Sequence, residues 1–187
     1  MPTYLSGIKE FIASWDDPFV EEKEGEIIRE SAEGHINTDG TTACFNSPIF
    51  TRYHRKFKRS LEAGIRELAT ILILKFNCIT YSSCQGHFST ADAVMRQRYV
   101  GVIPRNDNEY QKIKKLFLNL AEQTNAQIPG SCVRLWVDED QVDSEECSLA
   151  CLHLFFVGVD ADEKRYFTDV EIVYKKLLEN LSTYPQG

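Results

Sequence analysis

The chain has 187 residues and a formal net charge of −7. That length suffices for one well-buried core and is short for two. The apolar runs are much shorter than the roughly 20 residues that a membrane span requires. We therefore expect a single-domain cytoplasmic protein with no membrane partner. Reduced thiols are expected rather than a disulfide framework, and the six cysteines are Cys44, Cys78, Cys84, Cys132, Cys147 and Cys151.

The charge is unevenly distributed along the chain. The net charge is −7 over residues 1–43, +6 over residues 44–98 and −6 over the remainder. A basic middle between acidic flanks favours a local site for an anionic ligand, with a nucleotide or RNA as the candidate partner. It argues against a nucleic-acid binder whose whole surface is basic.

Residues 1–47 are predicted to form an acidic N-terminal arm with a short helix over Tyr4–Trp15. From Asp16 to Ser47 the sequence is acidic and interrupted by Pro and Gly, which predicts irregular structure or a hairpin. This arm is a candidate surface for a protein partner. Residues 48–187 are predicted to form the core domain.

The clearest helical pattern runs from Ile49 to Phe76, where apolar residues recur at helical spacing. Its first half carries a dense cationic cluster, in which Arg52 and Arg55 are candidate substrate contacts. Such a cluster is also typical of a solvated helix face, and both interpretations stay open. The cluster consists of Arg52, His54, Arg55, Lys56, Lys58 and Arg59.

The rest of the chain predicts an α+β fold with helices packed on a sheet of about four strands, antiparallel or mixed. The predicted order is helix, strand, strand, helix, strand, strand, helix. An acidic loop is expected at Asp138–Glu146. The predicted elements after the first helix are strands at Cys78–Ser82 and Arg98–Ile103, a helix from Asn106 to about Glu122, strands at Ser131–Val137 and Leu149–Val159, and a helix from Asp160 to about Leu181.

The most informative segment is Ile79–His87, where a β-prone run leads into small and reactive residues. Gly86 can adopt positive φ, so neighbouring amides could converge on an anion. Cys84 is a candidate nucleophile or metal ligand, and His87 a candidate acid, base or ligand. A structural turn with a buried thiol is the alternative. The candidate substrate contacts in this turn are Ser82, Ser83, Gln85 and Gly86.

Two further groups of residues could join this turn. Arg96 and Arg98 precede the next predicted strand and would act as anion contacts if the two strands pair. Cys151 and His153 share one face of a regular strand. Together with Cys84 and His87 they would provide a ligand set for zinc or iron.

The run Ser82-Ser83-Cys84-Gln85-Gly86 resembles the Ser-Ser-Cys-x-Gly motif of the tRNA wybutosine-synthesizing protein 3 family. The resemblance covers this turn only, and His87 stands where that family has a basic residue. It implies an RNA-modifying methyltransferase that uses S-adenosylmethionine. The leading hypothesis is therefore a small enzyme that acts on a nucleotide or RNA-like anion at this turn. The alternatives are a noncatalytic protein-interaction module and a Cys/His metal-binding module.

Overall fold

Two compact units make up the chain in the computed structural model, residues 1–62 with 140–151 and residues 63–139 with 152–187. The structure describes residues 3–19, 28–30, 35–36, 42–43, 46–48, 50–88, 95–160 and 162–185, without side chains for residue 3 and residues 28–48. Cys44 and much of the predicted arm lie outside the described residues. The predicted boundary between residues 47 and 48 falls inside the first unit.

Short strands dominate the first unit, whose sheet has the order β5-β2-β1-β8. Strand β1 runs antiparallel to β2 and parallel to β8, while β3 and β4 form a separate two-stranded sheet. The elements are β1 (Thr3–Leu5), α1 (Ile8–Ser14), β2 (Ile28–Glu30), β3 (His35–Ile36), β4 (Thr42–Ala43), β5 (Asn46–Pro48), α2 (Phe57–Ser60) and one end of β8 (Val133–Asp143).

The second unit confirms the predicted α+β class and the predicted order of elements. Its strands have the order β8-β9-β7-β6, and β7 runs antiparallel to both neighbours. A short loop joins β8 to β9, which requires an antiparallel hairpin. The strands of the chain outnumber the four predicted. The elements are α3 (Ala63–Phe76), β6 (Ile79–Cys84), β7 (Tyr99–Ile103), α4 (Asp107–Gln127), β8, β9 (Ser148–Gly158) and α5 (Glu163–Thr183).

Helices α3, α4 and α5 bury their apolar residues against one face of this four-stranded sheet. Leu152, Leu154 and Phe156 of β9 belong to this core. Because successive side chains of a strand alternate between faces, His153 and Phe155 project from the opposite face. The core also includes Leu68, Leu72, Val100, Val102, Phe117, Leu120, Val170, Val173 and Leu177.

Side-chain caps fix the starts of two helices at or beside the positions that the sequence indicates. The Asn106 side chain accepts a hydrogen bond from the Glu109 amide at the start of α4. At the start of α5 the cap is Asp162, which accepts from the Arg165 amide. The first amides of a helix have no carbonyl acceptor within that helix, and in each case the cap accepts a hydrogen bond from one of them.

The predicted continuous helix from Ile49 to Phe76 is wrong. The chain turns before α2, and Leu61 is extended, with φ −87° and ψ 122°, so α2 ends there and α3 begins at Ala63. In the first unit the Phe57 ring packs edge-on against Trp15 at 5.7 Å. Aromatic packing on α1 thus overrides the helical periodicity of the segment, as tertiary contacts often do.

The predicted acidic loop at Asp138–Glu146 is largely a strand, because β8 extends to Asp143. Val142 and Asp143 pair with residues of β1, and this backbone pairing offsets the low strand propensity of acidic residues. Only the residues between Asp143 and Ser148 form the turn. No helix among the described residues is both long enough and apolar enough to cross a bilayer.

Glu145 in this turn gives the first unit a pH-dependent contact. Its carboxylate accepts hydrogen bonds from the Ser6 hydroxyl and the Gly7 amide. The Ser6 hydroxyl is the largest cause that lowers the pKa of Glu145 to about 2, from an ordinary value of 4.5. Since the pKa is lower in the folded state, the contact stabilises fully above pH 4.5 and is lost as the pH falls toward 2.

We expect Glu145→Gln to lower the melting temperature at neutral pH. Between pH 5 and 3 the melting temperature of the variant should fall less than that of the wild type, because the amide cannot ionise. Thermal unfolding followed by circular dichroism across this pH range measures both effects. Glu146→Gln is the matched control, since Glu146 pairs with exposed Lys9 instead. Parallel pH curves for the wild type and Glu145→Gln would contradict the assignment.

Candidate functional site

The run that contains Cys84 is the end of strand β6 and not a free turn. Ser82, Ser83 and Cys84 pair with Gly101, Val100 and Tyr99 of β7, so the strand continues past the point where the sequence predicts its end. Pairing resumes at His87, whose amide and carbonyl bond to the backbone of Arg96 at 2.9 and 3.0 Å. Only Gln85 and Gly86 interrupt the ladder.

Gly86 allows this interruption because it adopts φ +88°. A Cβ at this position would lie 3.3 Å from each of Arg96 O, Arg98 N and Phe167 Cε1, so the position is crowded as well as left-handed. The Gly86 amide donates to Cys84 Sγ at 3.4 Å, and the His87 amide is bonded to Arg96. The predicted nest does not form because two of its three amides already have acceptors in the protein.

Cys84 and His87 lie together beside Gly86. Cys84 Sγ and a ring nitrogen of His87 are within 4.8 Å of each other, and both residues are half-buried. Among the other thiols, burial is the main cause that raises the pKa of Cys78 to about 12 and that of Cys132 to about 11. These two thiols are therefore protonated at neutral pH, whereas Cys84 has an amide donor at its sulfur.

Arg98 is buried next to the Cys84–His87 segment and holds its backbone through a hydrogen bond. Its side chain is only 4% exposed, and Nε donates to the Gln85 carbonyl at 2.8 Å. Nη2 forms an ion pair with Glu171, whose side chain is 52% exposed. The guanidinium lies 4.7 Å from the centroid of the Tyr174 ring. Nη1 is buried and has no hydrogen-bond partner among the described residues.

Tyr166 of α5 anchors the backbone at Arg98. Its hydroxyl accepts from the Arg98 amide at 2.8 Å and donates to the Phe156 carbonyl at 2.9 Å. Burial raises the pKa of Tyr166 to about 12, so the hydroxyl keeps its proton at neutral pH. This phenol connects β7, β9 and α5 at the site.

The predicted substrate contacts Ser82, Ser83 and Gln85 are largely engaged within the protein. The Ser82 hydroxyl lies 2.7 Å from that of Tyr99, and half-buried Ser83 pairs with Val100. The side-chain oxygen of Gln85 accepts from the Gly64 amide at 2.9 Å, in the first turn of α3. Gln85 thereby ties the end of β6 to the start of a helix.

A β-bulge in β6 places a second polar cluster on the sheet face opposite the helices. The register shifts between Thr80 and Ser82, which leaves Tyr81 as the extra residue. The Tyr81 hydroxyl lies 2.7 Å from His153 Nε2. Both rings lie over Gly101 of β7, which has no side chain. A Cβ at this position would lie 2.7 Å from His153 Cδ2 and 3.0 Å from Tyr81 Cε1.

The structure does not assemble the four-residue metal site predicted from strand parity. Cys84 and His87 belong to one group of potential ligands, whereas His153 belongs to another, which includes Asp138. Cys151 is in neither group among the described residues. Cys151 and His153 share a face of β9 as predicted, but the register across β7 places Cys84 level with Phe155 and not with His153.

Arg52 and Arg55 of the cationic cluster lie in the first unit. Arg52 forms an ion pair with Asp16 at 2.8 Å and contacts the Tyr53 ring, while Arg55 is exposed. The predicted cationic residues therefore do not form one face of a regular helix.

Three residues of the site, Glu171, Tyr166 and Tyr174, are not among the site residues predicted from the sequence. They contact Arg98 across 68 to 76 positions of sequence, and no local motif marks such contacts. Of the three, only Tyr174 was predicted to lie on the core face of the last helix. Comparisons of the chain with protein-family models, curated proteins and solved structures give no match.

Proposed function

We propose that this protein is a thiol-dependent enzyme for an anionic, nucleotide-like substrate, in which Cys84 supplies the thiolate and His87 accepts the thiol proton. The supporting observation is that Cys84 Sγ and a His87 ring nitrogen lie within 4.8 Å of each other. A catalytic pair of this kind is often looser without substrate than in the reacting complex. The amide that Gly86 donates to Sγ favours the thiolate.

The rest of the segment supports this role by holding the pair in place. Backbone bonds between His87 and Arg96 fix one end, and the Arg98 contact to the Gln85 carbonyl fixes the residue next to Cys84. The resemblance of Ser82–Gly86 to the wybutosine family makes an RNA nucleotide the specific candidate substrate, with S-adenosylmethionine as the candidate cosubstrate.

Alkylation kinetics test the thiol chemistry, with Cys147 as an internal comparator. Cys147 is also half-buried, but a serine hydroxyl lies beside its sulfur. We expect iodoacetamide to alkylate Cys84 faster than Cys147. In His87→Ala protein we expect the alkylation rate of Cys84 to fall roughly tenfold and that of Cys147 to stay the same. Peptide mass spectrometry of native protein measures both rates. Equal rates for the two thiols, with no effect of His87→Ala, would refute the proposal.

Metal binding is the second candidate, because the same two side chains could ligate one ion. Two ligands fall short of the four that a structural zinc site uses, so a metal here would require further groups. Elemental mass spectrometry on untagged protein purified without chelator distinguishes the candidates. Near-stoichiometric zinc or iron that is lost in Cys84→Ala, His87→Ala protein would favour the metal-binding module over the enzyme.

A further inference from the structure

Arg98 has a hydrogen-bonding group that the fold leaves unused. Its side chain is 4% exposed, yet Nη1 has no partner within the described part of the chain. A buried donor without an acceptor typically costs about 1–3 kcal/mol. Because the other donors of this side chain are hydrogen bonded, we infer that Nη1 donates to an acceptor atom of a bound ligand.

The start of α3 lies against the same guanidinium. A Cβ on Gly64 would be 3.1 Å from Arg98 Nη2, so the glycine gives the arginine room at the first turn of this 14-residue helix. The first turn itself carries no acidic residue, and Glu62 directly precedes it in the chain. The Gly64 amide donates to Gln85, so the groups that favour negative charge here are the buried guanidinium and the dipole of α3.

The carboxylate now at this place can leave it easily. Glu171 accepts a hydrogen bond from Nη2 of Arg98, and its side chain is 52% exposed. Rotation of Glu171 into solvent would free that nitrogen, while the Tyr174 ring and the Gln85 carbonyl would still hold the guanidinium. Nη1 and Nη2 together would then offer a forked pair of donors.

We propose that Arg98 and the N-terminus of α3 form a binding site for the phosphate group of a phosphomonoester, and that Glu171 occupies this site until the ligand displaces it. The proposal rests on the proposed function in that it names the anionic group of the same substrate. A phosphate group can accept from both nitrogens of the fork and carries more negative charge toward the helix N-terminus, whereas the Glu171 carboxylate accepts from Nη2.

Titration of the full-length protein with inorganic phosphate tests the site, with phosphorus NMR as the readout and chloride at equal ionic strength as the salt control. We expect Glu171→Gln to bind phosphate about tenfold more tightly than the wild type, because the competing charge is removed. Gln keeps an acceptor oxygen for Nη2, so the fold is preserved, which circular dichroism confirms. Glu67→Gln is the matched control, since Glu67 lies near Tyr174 but has no hydrogen bond to Arg98.

Tighter binding by Glu171→Gln alone supports the site. Three results would overturn the proposed site. They are equal phosphate affinity in the wild type and Glu171→Gln, equal gains in affinity in Glu171→Gln and Glu67→Gln, and no phosphate binding by any of the three proteins. Cys84→Ser separates this outcome from the proposed function, because it should bind phosphate like the wild type while losing alkylation at residue 84. If phosphate binds but Cys84 is not reactive, the proposed enzyme activity is refuted and the phosphate site is supported. If Cys84 is reactive but phosphate does not bind, only the phosphate site is refuted.

Discussion

Replacement of Gly101 by alanine is expected to destabilise the protein by about 3 kcal/mol, because the new methyl group would overpack the sheet face. The Cβ would lie 2.7 Å from His153 Cδ2 and 3.0 Å from Nε2 of the same ring. Neither ring can move freely, since His153 is hydrogen bonded to Tyr81 and both are buried. Urea unfolding at equilibrium measures the loss as a lower midpoint with an unchanged slope.

Two further variants identify the cause of this loss. Gly130→Ala is the matched control, because a Cβ there meets nothing within 4 Å, and we expect a change below about 0.5 kcal/mol. In Gly101→Ala, His153→Ala protein the clash with His153 is absent and the approach to Tyr81 remains, so the double variant should lose less stability than the two single variants combined. Additive losses would show that the crowding at Gly101 is not the cause.

Arg98→Ala is expected to cost about 3 kcal/mol of folding free energy, through several small losses at one buried position. The variant would leave the Gln85 carbonyl without its donor and remove the cation–π contact with Tyr174. Glu171 contributes less to this cost, because its half-exposed carboxylate can return to water.

Chemical unfolding of Arg98→Ala beside Arg165→Ala measures this effect. Arg165 also pairs with an acidic residue, Asp160, but its side chain is 50% exposed. Exposed ion pairs contribute little, so Arg165→Ala should lose less than about 1 kcal/mol. Similar losses in the two variants would mean that Arg98 is not a buried anchor of the site.

The second unit could be predicted from the sequence because its signals are local. Apolar periodicity marks α4 and α5, the polar cap Asn106 marks the start of α4, and short β-prone runs mark the strands. The start of α5 was predicted at Asp160, and its cap is Asp162. The helix predicted up to Phe76 was wrong at its first half, because the packing of Phe57 on Trp15 depends on a contact distant in sequence. The acidic part of β8 was missed for the same reason, since its pairing with β1 outweighs composition.

The candidate site was only partly visible in the sequence. Cys84, His87 and Arg98 have reactive or charged side chains beside β-prone runs, and strand pairing was enough to suggest that Arg98 lies nearby. Glu171 and Gly64 could not be found in this way. Each matters only through a contact with Arg98 or Gln85 that the packed helices create.

The bulge at Tyr81 determines how β6 can change in length. Because side chains alternate along a strand, one residue removed from a regular part of a strand turns every later side chain to the opposite face of the sheet. Deletion of Tyr81 would instead leave Thr80 opposite Val102 and Cys84 opposite Tyr99, since the bulged residue has no partner of its own. The extra residue therefore allows β6 to shorten by one position without a change in the orientation of Cys84.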